Sequence, residues 1–75
     1  MTLVKLKTNL RLVRATTEVE IAEDLCKRRA HGHAMDWAKL AIESLKGIRS
    51  RTATQLRNRA WAVIETIGEQ MKEAT

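Results

Sequence analysis

The sequence predicts a mainly α chain: an N-terminal strand or arm over residues 1–15, then helices at about 17–31, 34–46 and 52–73 in a single small domain. Three observations carry this. Residues 3–13 alternate with a period of two. Two stretches match the S/T-x-x-E/Q pattern that opens helices. Beyond residue 20 the apolar residues recur at helical spacing.

In the N-terminal stretch Val4, Leu6, Thr8, Leu10 and Leu12 are apolar or β-branched, while Lys5, Lys7, Asn9 and Arg11 between them are polar. Strict alternation describes a strand with one apolar and one basic face. Thr8-Asn9 could instead turn a hairpin. Alternatively, Asn9 could cap a long helix from Leu10, since Leu10, Thr17, Ile21 and Leu25 fall near one stripe with Arg14 inside it.

The first helix is expected to open on the capping box Thr17–Glu20, in which each side chain satisfies an amide of the first turn. Acids fill its start and Lys27, Arg28 and Arg29 its end, as the helix dipole favours, with Gly32 as the left-handed stop. Ile21, Ala22, Leu25 and Cys26 form its buried face.

The second helix carries Trp37, Ala38, Leu40, Ala41, Ile42, Ser44 and Leu45 over roughly 200° of its circumference, too wide for one neighbour to cover. It is expected to be the central element and to meet a second subunit. Gly47 stops it and Ile48 folds back. Leu40→Ala in that core should cost about 2–5 kcal/mol. The third helix opens near Thr52–Gln55 and gathers Leu56, Ala60, Val63, Ile64, Ile67 and Met71 on one face, with Trp61 on its shoulder. The expected core and dimer residues are Ile21, Leu25, Trp37, Leu40, Ala41, Leu45, Trp61, Ile64 and Ile67.

Seventy-five residues can bury only about 60–65% of the unfolded surface, so self-association, and hence a homodimer, is expected. One cysteine forms no internal disulfide and suits a reducing cytoplasm. No apolar run reaches the roughly 18–20 residues of a membrane span, and the N-terminus lacks the layout of a signal peptide.

Cys26, His31, His33 and Asp36 match no standard zinc spacing, and Cys26 reads better as a small apolar residue. Cys26 with His31 would need a cleft and an oxyanion site to act as a nucleophile. Glu20 and Asp24 lie one helical turn apart on a solvated face. The three glycines stand alone, so there is no phosphate loop. Neither an enzyme nor a cofactor is expected.

The net charge of +5 and a sequence pI near 10.0 are unevenly laid out. Lys5, Lys7, Arg11 and Arg14 face no acid within residues 1–15, residues 16–26 are acidic, and residues 27–60 are strongly basic again. Such blocks are the electrostatic footprint of a polyanion binder. A helix-turn-helix fits badly, because a turn glycine at Gly47 or Gly32 puts Glu43 or Arg28 where a small residue belongs.

Lys7-Thr8-Asn9-Leu10-Arg11 resembles the reading strand of Arc/MetJ-type ribbon-helix-helix DNA-binding proteins. Ile42-Glu43-Ser44-Leu45-Lys46 resembles the end of that family's second helix, and Gly32 has its counterpart between the helices. The resemblance covers about residues 5–47. It implies a dimer with an extra C-terminal helix, whose paired strands enter the major groove of double-stranded DNA as a transcriptional regulator. Lys7, Asn9 and Arg11 would then read base edges, with Lys5 beside them; Arg14 is also expected to bind nucleic acid, and the amides around His33 and Ala34 would grip a phosphate. The longer link to Gly32, and His33-Ala34 in place of a capping serine or threonine, depart from the family's pattern.

The competing expectation is an all-α three-helix bundle or dimer that acts by binding a protein, an acidic one given the charge. In size, charge and lack of processing signals the chain resembles short accessory proteins of temperate phages. The two expectations part at residues 3–12: a strand favours DNA, a helix a protein partner.

Overall fold

The computed structural model describes residues 3–73, with side chains from Lys7 onward. Three helices make up the fold: α1 (Leu3–Lys27), α2 (His31–Ser44) and α3 (Arg51–Glu73). Each packs on the other two, in an elongated bundle of 51 × 17 × 14 Å.

The all-helical expectation holds, and the strand expected at residues 3–13 is a helix continuous with the next element. Residues 1–2 of the expected arm lie outside the described residues. The physical reason is backbone satisfaction. A strand here would need a partner for its N–H and C=O groups, whereas a helix satisfies them within the segment. Leucine, lysine and arginine are good helix formers, and no glycine or proline interrupts residues 3–27. The box at Thr17–Glu20 is therefore mid-helix. The Thr16 and Thr17 hydroxyls donate back to the Leu12 and Val13 carbonyls at 2.8 and 3.3 Å.

The alternation concealed two helical stripes. Thr8, Leu12, Ala15, Val19, Ala22 and Cys26 are spaced alternately by four and three residues and make the inner face; Ala15, Val19 and Ala22 are fully buried. Leu10 and Val13 belong to a second stripe on the opposite side and stay exposed.

α1 ends at Lys27, before the expected Gly32. The amide of Ala30 donates to the Leu25 carbonyl at 2.9 Å, and that of Arg29 to the Cys26 carbonyl at 3.1 Å. This is the Schellman arrangement, with Arg29 in the left-handed place at φ 63°. Gly32 falls inside the first turn of α2.

α2 docks through small residues. Ala34, Ala38 and Ala41 are fully buried, and Leu45 at its C-terminal cap completes the row. Small side chains let the helix axes approach closely, and they leave Trp37 and Leu40 on the flank rather than in the core. Leu40 is 44% exposed, contrary to its expected core position, and Trp37 is half-buried. At the C-terminal end Gly47 takes φ 83°, and Ile48 turns back into the core as expected.

α3 opens one residue before the expected bound, and its cap is Ser50. The Ser50 hydroxyl accepts from the Ala53 amide at 3.1 Å, and its carbonyl from the Thr54 amide at 3.0 Å. Ala53, Leu56, Ala60, Val63 and Ile67 form the buried seam. Ile64 and Leu25 are half-buried against the core, Ile21 is half-buried, and Ala41, Leu45 and Ile67 are fully buried. Trp61, at 51% exposure, lies outside the core.

Candidate polyanion interface

Polar ties fix which residues share an end of the bundle. Arg11 on α1 donates from Nε to the Ser44 carbonyl at 3.0 Å and from Nη2 to the Lys46 carbonyl at 2.5 Å. Arg57 on α3 donates from Nη1 to the Leu45 and Ile48 carbonyls at 3.0 and 2.9 Å. Both guanidiniums sit on the carbonyls at the negative end of the α2 dipole, where cations are favoured. The buried carboxylate of Glu18 accepts from the Ser44 hydroxyl at 2.7 Å, and Arg14 Nε lies 3.6 Å from its other oxygen.

These contacts place the N-terminal half of α1 beside the α2–α3 turn. Residues 3–18 and 43–57 together hold eight bases (Lys5, Lys7, Arg11, Arg14, Lys46, Arg49, Arg51, Arg57) against Glu18 and Glu43. This end therefore carries +6 of a net +5, and the rest of the chain is −1. Lys7, Lys46, Arg49 and Arg51 are exposed and have no acidic partner among the described residues. α3 also begins here, which adds the positive end of its dipole.

The expected nucleic-acid-binding residues divide. On a helix Lys7, Arg11 and Arg14 fall within about 60° of one another, while Asn9 lies on nearly the opposite side. Lys5 lies in α1, and its side chain is outside the described ones. Arg11 is committed to the α2 carbonyls. His33 is exposed in the first turn of α2, at the far end from Lys46 and Arg49. Residues 7–11 thus do not present one row of polar side chains as a strand would. Sequence reasoning missed the α2–α3 turn as part of this surface. The signal was there in the run Lys46–Arg51, which holds three bases and no acid.

The opposite end is tied differently. Arg59 donates from Nε and Nη2 to the two Glu23 carboxylate oxygens at 3.1 and 2.6 Å, joining α3 to α1. That hydrogen-bonded carboxylate raises the Arg59 pKa above its ordinary value, against the opposing effect of burial. His31 Nε2 lies 2.7 Å from Gln70 Oε1, joining α2 to α3. Glu23, Cys26, Arg59 and Gln70 line a shallow groove between α1 and α3. Cys26 is a buried free thiol. Among the described residues no three His, Cys, Asp or Glu side chains gather as a metal site, and no helix is long and apolar enough to cross a membrane.

No protein-family model, curated protein or solved structure matches the chain.

Proposed function

We propose that the chain is a non-catalytic, all-helical DNA-binding protein that holds the phosphate backbone of duplex DNA with its basic end. The observation that carries this is the segregation of charge, +6 at one end and −1 elsewhere. A solvated face carried for solubility alone would mix both signs. Ribbon-type reading of bases needs a strand at residues 3–13, so the helix there moves the reading from base edges to phosphates. Lys7, Lys46, Arg49 and Arg51 make the contacts, with Arg14 beside them. Arg11 and Arg57 position the turn. The setting is a cytoplasm, where Cys26 stays a thiol.

Four to five phosphate contacts imply a log–log salt slope near −4, so affinity for random-sequence duplex should fall about 100-fold or more between 50 and 200 mM salt. Titration of a labelled duplex across that range tests this. A flat salt response, or no binding at 50 mM, rejects the proposal.

A helix at residues 3–12 is the outcome expected to favour a protein partner, so a second reading stands beside the first. With no strand to enter a groove, the basic end also fits an acidic protein partner. If duplex competes poorly at physiological salt while an acidic protein face binds there, the second reading replaces the first.

A further inference from the structure

α1 carries apolar residues on two opposite faces, and the fold covers only one of them. The covered stripe, Leu12–Ala15–Val19–Ala22–Cys26, alternates steps of three and four and packs against α2 and α3. The uncovered one has the same spacing in Leu10, Val13 and Thr17, and in the sequence of the helix the leucines at positions 6 and 3 continue that heptad register one and two turns earlier. Leu10 is 61% exposed and Val13 66%. Apolar residues repeating every 3.5 positions form the seam of a two-stranded coiled coil, and they call for a helix as partner. Isolated exposed apolar residues need no explanation, but a row in heptad register does.

We infer that this seam is covered by α1 of a second copy, side by side in parallel register, giving a two-fold dimer. Three features favour a copy of the same chain over another occupant. First, the stripe is self-complementary: in register, Leu10 meets Leu10 and Val13 meets Val13, as a symmetric interface requires. Second, the flanking residues allow it. Taking Leu3 and Leu10 as position a and Leu6 and Val13 as d, Lys7 and Arg14 occupy e, while Asn9 and Thr16 occupy g. In parallel pairing g meets e of the partner, so Arg14 lies against Asn9 with no like-charge contact. Antiparallel pairing would set e against e and bring Lys7 onto Arg14. Third, a 75-residue bundle packed largely through alanines buries little apolar surface alone.

The inference does not depend on DNA binding, although parallel pairing brings both basic ends to the same side of the dimer. Proximity of those ends opposes association, and salt screens it. Dimerisation should therefore tighten as salt rises, opposite in sign to the salt effect on DNA affinity.

Sedimentation equilibrium of the full chain, from about 1 to 200 μM, tests the association. The wild type is expected to be dimeric in the upper part of that range. Leu10→Asn with Val13→Asn should weaken the dimer at least about tenfold while leaving helicity by circular dichroism unchanged, because both positions are exposed. A wild type monomeric throughout, or an Asn variant that associates as before, overturns the seam. A monomeric wild type would point instead to a foreign helix as occupant. Orientation is read from Val13→Cys in a Cys26→Ala background. Mild oxidation should give a disulfide-linked dimer in parallel register, and a dimer that cannot be cross-linked there overturns the parallel arrangement.

Discussion

Replacing Leu45 and Leu40 separately by alanine discriminates most sharply between the core observed and the core expected from helical periodicity. Leu45 is fully buried and among the largest such side chains in the chain, whereas Leu40 is 44% exposed. Leu45 also sits at a junction. Its amide donates to the Ala41 and Ile42 carbonyls at 3.1 and 3.2 Å, and its carbonyl accepts from Arg57 at 3.0 Å. Those are backbone groups that alanine keeps, so Leu45→Ala removes packing and little else. Truncating a fully buried leucine costs about 2–5 kcal/mol, the upper part of that range applying where the cavity cannot collapse. A chain of this length has a total stability of roughly 4–11 kcal/mol, so the loss is a large share of it. At about 4–8 °C per kcal/mol, a 3 kcal/mol loss lowers Tm by roughly 12–24 °C. Leu40→Ala gives up only the buried half of a side chain worth about 1.5–3 kcal/mol, so its cost is about 1 kcal/mol. Urea unfolding followed by circular dichroism, at a protein concentration where the chain is monomeric, measures both, with an unchanged m-value as the check on two-state behaviour. A Leu40→Ala loss equal to or above that of Leu45→Ala would refute the alanine-lined docking face of α2.

Further predictions concern single polar and backbone positions. Gly68 lies within α3, where an added Cβ would meet nothing within 4 Å, so Gly68→Ala should stabilise by about 0.5–1 kcal/mol in the same melt. Arg29 holds a left-handed backbone at φ 63°, and Arg29→Gly should raise stability by about 1 kcal/mol; a loss would mean its side chain matters more than its conformation. Ser44→Ala deprives the buried Glu18 carboxylate of its 2.7 Å donor and should cost about 1.5–3 kcal/mol. Arg59 and Glu23 form a bidentate but partly exposed pair, so a double-mutant cycle should return a coupling of about 0.2–1 kcal/mol that shrinks with added salt.

Part of the helical architecture was legible in the sequence. Gly47 takes its left-handed place in the turn after α2, and the Leu56–Ala60–Val63–Ile67 seam forms the body of α3, but α2 runs His31–Ser44 instead of the expected 34–46 and α3 is capped by Ser50 instead of at Thr52. The first part of α1 reads as a strand because two apolar stripes on opposite faces of a helix mimic period two over a short window. Leu10 and Leu12 look like neighbours on one strand face, yet they lie on different sides of α1. Its boundaries were missed because the stop at Arg29 is not a glycine. The capping pattern at Thr17–Glu20 is equally compatible with a helix interior, where threonine hydroxyls return to the preceding turn. Within α2, Ala38, Ala41 and Leu45 are buried as their helical spacing predicts, whereas hydrophobicity misleads at Trp37 and Leu40. Close approach of helices favours the small residues Ala34, Ala38 and Ala41 at the contact and leaves the two large side chains on the flank. The basic surface was half visible. The N-terminal block stood out, but its union with the α2–α3 turn rests on Arg11 reaching residues 33 and 35 positions away.

Under the proposed function, the location of the charge, and not its total, directs binding. Two double charge reversals test it, because they change the net charge equally, one at the basic end and one away from it. Arg49→Glu with Arg51→Glu alters the basic end, and Arg28→Glu with Lys39→Glu alters residues outside it. Affinity for a duplex at fixed low salt should fall about 10- to 100-fold or more for the first variant and only slightly for the second. Equal losses from the two variants would contradict the account, since the chain would then be responding to net charge alone.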